Sequence, residues 1–556
     1  MLRFARNDEY GLPPSLPPEL RRALRAGAKF QWDKAERLCR AVLARDGESF
    51  DALHCLGHIN FQRGRLDAAL ALFQQALTRD LTRAEGFSSL GLVFHALKHF
   101  ERALVAYDEG LHLAPGDAEL LHRRGVALLE LGRPREALAC FEQALASDPA
   151  GIEAQGNLGN ALLKLNRVDD ALAAYEGALA LAPDNAQLLT NRAVALRRLD
   201  RPAEALMSAA QALHRQPDFA QARFVEAVAR LTLGDFAAGW RGYEARWQVG
   251  AAARKERGFA APMWLGEGPL AGKTILLHAE QGLGDTIQFV RYVPLVAARG
   301  AKVVLEVQPQ LVRLLSRLPG IDTVVARNAP LPAFDCHCAL MSLPLAFATE
   351  EATIPADIPY IAPPAAELRN WRSRLPSGRP LIGIAWAGER SHDNDLNRSL
   401  RLQTLAPLLD VASVQFVSLQ HEVRAQDAAL LESRSDLLSI GPKFRDFADT
   451  AAAMASLDLI ISADTSVAHL AGAMGKPLAL LLPYAADFRW LRQRADSPWY
   501  PSARLYRQPR FGDWESVIDV LRSELMHLIR RPEARDARRR TADNAGAECA
   551  SCAASA

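Results

Sequence analysis

The stretch AEGFSSLGLVFHALKHFERALVAYDEGLHLAP, residues 84–115, decides how the first half of the chain folds. It carries Gly91 in a first apolar-periodic segment, Ala103 and Tyr107 in a second, and Pro115 at the close. Outward from it the same columns return every 34 residues: Gly57, Gly91, Gly125 and Gly159; Ala69, Ala103, Ala137, Ala171 and Ala205; Phe73, Tyr107, Phe141 and Tyr175. Pro115, Pro149, Pro183 and Pro217 close successive units. Small residues let two helices approach closely, the ring fills the groove between them, and proline ends the second helix because it donates no backbone hydrogen bond. One such unit cannot bury its own apolar face and depends on its neighbours. A degenerate unit with Ala35 precedes the clean ones, and a last one carries Ala227 and Tyr243, so an α-helical solenoid of about seven units is expected over residues 17–250.

Four columns holding register in this way resemble the tetratricopeptide repeat family. From about residue 273 the pattern changes to alternating strands and helices. Thr274 to His278 reads as a buried parallel strand, Thr286 to Ala298 as a helix and Lys302 to Val307 as the next strand. A second series follows in Leu381 to Trp386, Val414 to Leu419, Leu457 to Ser462 and Leu478 to Leu482. With the Pro-rich stretch Ile354 to Pro364 between them, the two series predict two Rossmann-like lobes, residues 265–365 and 366–530, each closing its own core. Residues 531–556, Ala-rich after Arg538, Arg539 and Arg540, are expected to be disordered.

Composition bounds the function. A net charge of +2 over 556 residues gives no concentrated basic surface for nucleic acid or anionic membrane. No apolar run reaches the ~20 residues of a membrane span, and Met1 to Pro14 lacks an apolar signal core, which points to a cytoplasmic protein. Cys39, Cys55 and Cys140 fall where repeat helices want small apolar residues. Cys549 and Cys552 have no second pair to complete a zinc site, and the adjacent Cys336, His337 and Cys338 cannot all turn to one metal, so no metal is expected.

Ligands of open parallel sheets bind beyond the carboxyl ends of the strands. In the first lobe that place is Glu280-Gln281-Gly282-Leu283-Gly284-Asp285-Thr286, where Ile287 breaks a dinucleotide fingerprint. Asp285 reads either as a helix cap or as a carboxylate at the mouth of a cleft. In the second lobe Asp464-Thr465-Ser466-Val467 opens a helix with Asp464 or Thr465 as N-cap. Its first amides suit a diphosphate, and His469, one turn in, is expected to face the same cleft. Phe488 to Arg492 and Trp499 to Pro501, aromatic and basic, are expected to pack back across the lobes rather than stack on nucleic acid.

Gly284-Asp285 together with Asp464 to Ala471 resembles glycosyltransferase family 9, the heptosyltransferases. Over roughly residues 17 to 525, with Trp386-Ala387-Gly388, Arg398-Ser399-Leu400, Trp499-Tyr500-Pro501 and Gly512-Asp513-Trp514, the chain is similar to bacterial tetratricopeptide repeat proteins carrying such a domain. The resemblance implies a GT-B glycosyltransferase fold and a metal-independent, inverting transferase that needs no cofactor and uses a nucleotide-diphosphate sugar as donor. It implies Asp285 as general base and Gly282, Gly284, Arg398, Ser399, Asp464, Thr465, Ser466, Val467 and His469 as donor-binding residues. The family commonly has glycine where Ser466 stands. The array would hold a protein or peptide partner in its groove, or dock an envelope glycan acceptor. Asn157 and Asn191 occupy the column where the O-GlcNAc transferases carry an asparagine ladder, whereas Cys55, Ser89 and Arg123 do not. A non-enzymatic scaffold with a degenerate transferase-like domain is the alternative.

Overall fold

A computed structural model of the chain describes residues 16–250 and 257–529. The start up to Pro14, the tail 531–556 and its Cys549 and Cys552 lie outside the described residues. The chain forms two compact units, one closing at Ala195 and one running from Leu196.

The first unit is helical. Its hairpins are α1 (Pro18–Ala28) with α2 (Trp32–Leu43), α3 (Phe50–Gln62) with α4 (Leu66–Arg79), and α5 (Ala84–Ala96) with α6 (Phe100–Leu113). They continue with α7 (Ala118–Glu130) and α8 (Pro134–Ser147), then α9 (Ile152–Lys164) and α10 (Val168–Leu181). Each hairpin packs on the next. The glycine column works by close approach: a Cβ added at Gly57 or Gly125 would stand 2.6 Å from the ring of Phe73 or Phe141. Ala69, Ala103, Ala137 and Ala171 are fully buried, and Cys39, Cys55 and Cys140 fill core positions beside them. Ala114, Asp148 and Ala182, each just before a proline, leave helical geometry with φ of −138°, −133° and −136°, as the ring of a following proline requires.

Helix α11 (Ala186–Arg198) crosses into the second unit, which continues with α12 (Pro202–Arg215), α13 (Ala220–Thr232) and α14 (Phe236–Tyr243). Ala227, Val228, Leu231, Phe236, Trp240 and Tyr243 belong to the same apolar core as Ile275, Leu277, Phe289 and Phe488. The boundary between compact units therefore falls at 195/196, not at 250, and the α/β part does not close its core alone. The reason is chemical: Trp240 and Tyr243 present large rings that meet Phe488 at 5.7 and 5.8 Å between centroids.

Two parallel sheets follow. The first has the order β3-β2-β1-β4, from β1 (Thr274–His278), β2 (Lys302–Val307), β3 (Thr323–Ala326) and β4 (Cys336–Ala339). The second has the order β10-β9-β8-β5-β6-β7. Its strands are β5 (Leu381–Ala385), β6 (Gln415–Ser418), β7 (Leu437–Ser439), β8 (Leu459–Ala463), β9 (Leu478–Leu482) and β10 (Ala503–Arg507). Renumbered from its first strand, the second sheet reads 3-2-1-4-5-6 from the β7 edge, the order of a doubly wound sheet. The apolar runs β1, β2, β5, β6, β8 and β9 agree with the sequence reading within two residues, and β3, β4, β7 and β10 add edges that it missed. Cys336, His337 and Cys338 are consecutive residues of β4 with alternating side chains.

The helix expected from Thr286 to Ala298 is corrected. It begins at Leu283 as α15 (Leu283–Phe289), gives way to a 3₁₀ turn over Val290–Tyr292, and resumes as α16 (Val293–Ala297). Asp285 moves its start forward by accepting the Gly282 N–H at 2.8 Å. Pro294, which has no N–H to bond Val290, breaks it. Among the described residues no helix is long and apolar enough to cross a membrane.

Trp240 is 2% exposed, so Trp240→Ala should cost about 3–5 kcal/mol of unfolding free energy in the second unit. A chain beginning at Gly250 should fail to unfold cooperatively by circular dichroism, whereas one beginning at Ala186 should melt in a single transition.

Candidate functional site

In a parallel sheet the crevice opens where strand order reverses, between strands whose connections run to opposite faces. That point lies between β1 and β4 in the first sheet and between β5 and β8 in the second. The loops there are Ala279 to Gly282 and Leu340 to Ser342, and Trp386 to Leu400 and Asp464 to Thr465. The two sets meet. Helix α15 packs on α17 (Ser466–Ala473), and a Cβ added at Gly284 would lie 2.6 Å from the His469 ring. Gly284 is thus needed for contact between the helices rather than for a turn.

Asp285 is the third residue of α15. One oxygen caps Gly282, and the other is paired with Arg489, which also bonds Asp487 at 2.6 Å. Burial opposes the Arg489 charge, but Asp487 and then Asp285 outweigh it and raise its pKa above the ordinary arginine range. Burial would likewise raise Asp487, yet Arg489 holds it below the usual carboxylate range. The guanidinium lies over the rings of Phe488 and Phe289, 4.7 and 5.8 Å from their centroids. Arg489 was not singled out from sequence: it lies 204 residues from Asp285, and only its aromatic-basic neighbourhood gave a signal. The expected packing of that segment is seen, with Phe488, Trp490, Trp499 and Tyr500 all buried.

Across from it, a network fixes the Trp386-Ala387-Gly388 loop. Gln420 Oε1 accepts the N–H groups of Trp386 and Ala387 at 3.1 Å, and Asp427 accepts the Trp386 indole N–H at 2.9 Å. Ser399 accepts the Gly388 N–H at 3.0 Å and donates to Asp395 at 2.6 Å. Ser399, expected at the donor site, instead spends its hydroxyl on this scaffold. Arg398 packs on Gly388, donates through Nη1 to the Asp464 carbonyl at 3.1 Å, and leaves its Nε without an acceptor.

Thr465 stands at the N-cap of α17, but its side chain makes no capping bond; its hydroxyl lies 3.3 Å from Ser462 Oγ. The expected Asp or Thr side-chain cap is therefore absent there, and Ser466 and Val467 begin the helix half-buried. Burial, then the charge of Asp487, raises the Asp464 carboxyl to about 6. His469, expected to face the cleft, lies buried with its ring against Gly284 of the first lobe. It is 6% exposed, accepts or donates at Nδ1 with Tyr500 OH at 3.0 Å, and stacks on Trp490 at 5.4 Å. Burial, then Arg489, lowers it to about 3, so it is neutral. Tight packing between Gly284 and two aromatic rings is what turns it inward.

In the first unit Asn157 bonds His122 at 2.8 Å, and Asn191 bonds Asn160 at 3.1 Å and Gln187 at 2.8 Å. These are rungs tied to their neighbours along the repeat.

The tetratricopeptide repeat family matches residues 20–84, 61–118 and 122–186, and a second description of the same repeat matches 156–221. The helical half of the chain is a tetratricopeptide repeat array. The chain is similar to protein FlbA of Caulobacter vibrioides, 27% identical over 322 residues, a match that covers 53% of this chain and 53% of FlbA. It thus spans about half the length of that relative. Solved structures similar to it include YrrB, a repeat protein with an unusual peptide-binding site, at 21% identity and a TM-score of 0.29 over 33% of this chain and 95% of YrrB. Another is the thermophilic repeat protein TTC0263 of Thermus thermophilus, at 27% identity and a TM-score of 0.29, covering 32% of this chain and 97% of TTC0263.

Because folding raises the Asp464 pKa from 3.8 to about 6, its contribution to stability is full below pH ~4 and is lost as pH rises through ~6. Relative to Asp464→Asn, the wild type should therefore lose up to about 3 kcal/mol between pH 4 and 7, read from denaturant midpoints at each pH.

Proposed function

We propose that the α/β part is a metal-independent, inverting glycosyltransferase of the two-lobed GT-B kind. It would take a nucleotide-diphosphate sugar as donor and act on an acceptor, protein or envelope glycan, recruited by the repeat array. The observation that carries this reading is the meeting of two strand-order reversals, with a carboxylate, Asp285, on one side and a helix start beside Arg398 on the other. Displacement at an anomeric carbon needs a base on one face and a stabilised leaving group on the opposite face.

In this mechanism the acceptor oxygen attacks the anomeric carbon as the bond to the diphosphate breaks, and the acceptor proton passes to the Asp285 carboxylate. The departing charge is taken by Arg398 and by the amides at the start of α17, where backbone N–H groups and the helix dipole favour an anion. A planar guanidinium suits two phosphate oxygens, and the buried Nε–H of Arg398 has no acceptor among the described residues. Arg489, holding Asp285 from the second sheet, fixes where the carboxylate points.

A specific observation favours the alternative, a non-enzymatic scaffold that binds nucleotide. Both Asp285 oxygens are engaged, one as a helix cap and one in an ion pair. Arg398→Ala should weaken binding of a nucleoside diphosphate by ~1.5–3 kcal/mol in titration calorimetry. Asp285→Asn should keep that affinity and cut sugar transfer by ~10²- to 10⁴-fold. If Asp285→Asn lowers only the melting temperature, the scaffold reading holds.

A further inference from the structure

The pairing of Arg489 with Asp285 depends on the course of residues 487–494, and that segment carries backbone strain. Leu491 is buried at φ 49° and ψ −163°, beside a region that only glycine populates freely, and Gln493 follows at φ 52°. Such residues persist only where their surroundings over-determine them. Arg507, the last residue of β10, is one restraint: its Nη2 donates to the carbonyls of Trp490 and Leu491 at 2.6 and 2.7 Å. Arg494 is another, paired with Glu351 and Asp496.

The third restraint comes from the helical part of the chain. Asp200 closes the turn after α11 at φ 52°, a left-handed conformation that aspartate tolerates. That turn is fixed by its own hydrogen bonds, from the Asp200 N–H to the Arg197 carbonyl at 3.1 Å and from the Arg201 N–H to the Leu196 carbonyl at 2.9 Å. The Asp200 carboxylate receives Arg492 as a fork, Nε–Oδ1 and Nη2–Oδ2 both at 3.0 Å, and Nη2 also reaches the Asp200 carbonyl at 3.1 Å. Three bonds from one planar guanidinium to one residue fix direction as well as distance. Arg492 lies one residue past Leu491 and three past Arg489, so the fork holds the strained stretch at the end away from Asp487. The two side chains are 25% and 31% exposed, which makes the pair a weak source of stability. What it contributes is placement.

We propose that Asp200 is a positioning residue for the candidate site: through Arg492 it sets the course of the strained segment, and so the reach of Arg489 to the Asp285 carboxylate. The inference rests on the transferase reading for the catalytic role of Asp285, and adds that a turn of the repeat array governs where that base points.

The test compares the full chain as wild type, Asp200→Asn, which tolerates the same backbone, Arg492→Ala and Arg492→Lys, which keeps the charge and loses the fork. Hydrogen exchange is read by mass spectrometry. In Asp200→Asn and Arg492→Ala it should rise about tenfold or more over residues 490–493 and also over residues 282–289, where Asp285 caps Gly282, and less in Arg492→Lys. Exchange over α9 should stay as in wild type. In parallel, release of nucleoside diphosphate is followed from UDP-, GDP-, ADP- and dTDP-hexoses. Wild type should turn over at least one of them, and Asp200→Asn should lower kcat by about ten- to a hundredfold with KM unchanged, the mark of a misplaced base. If residues 282–289 exchange as in wild type, or kcat holds, the role given to Asp200 is wrong and the transferase reading stands. If wild type releases no diphosphate from any of the four donors, the transferase reading falls and this inference with it.

Discussion

A guanidinium taken out of water must be compensated where it lies, or the fold loses several kcal/mol. Arg489 meets that requirement with Asp487 from its own segment and Asp285 from the other sheet, above and beside the rings of Phe488 and Phe289. Much else follows from this arrangement. Asp285 is held by Arg489, and the same carboxylate starts α15 by capping Gly282. Helix α15 then stands where Gly284 can receive the His469 ring, which fixes α17 against it. The register of the two sheets at their ligand-binding ends thus depends on one buried cation.

That cation sits beneath the end of the repeat array. Trp240 and Tyr243 roof the Phe488 segment, and Arg246, 1% exposed on its side chain, reaches Glu280 at 3.1 Å and Ser342 at 2.7 Å, on the two loops of the first sheet's strand-order reversal. Burial pushes Glu280 up to about 7, with Arg246 opposing it. An array joined by a loose linker would place no charged group there. The last repeat is instead part of the wall behind both loops, and Arg246, just past its last helix, bonds Glu280 directly.

Legibility in the sequence followed the range of the forces. The helical repeat was readable because each glycine meets a ring 16 residues on, as Gly57 meets Phe73, and the period then repeats. Buried central strands such as β1 and β8 were readable as continuous apolar runs. The edge strand β3 has partly exposed side chains and a short span, so its pattern blends with the loops around it. Asp285 and Asp464 stood out through local turn chemistry. The role of Arg489 depends on a contact made across 204 residues, and the inward turn of His469 on rings in another element, and no local pattern encodes those.

The distribution of satisfied and open polar groups separates support from chemistry in this site. At the two ends of the Trp386 to Leu400 loop the buried polar groups are tied down: Gln420 serves three backbone groups of the loop, Asp427 serves the indole and the Leu402 N–H, and Arg424 clamps Asp395. Such closure makes a loop rigid. Ser399 belongs to that closed set, although its neighbour Arg398 does not. Arg398 packs on Gly388 and donates to the Asp464 carbonyl, yet its Nε–H is buried without an acceptor. The start of α17, where Thr465 makes no side-chain cap, has the same character. Arg398 Nη1 reaches the carbonyl of Asp464, next to the N-cap Thr465, so an unpartnered guanidinium nitrogen and a helix start without a side-chain cap lie side by side.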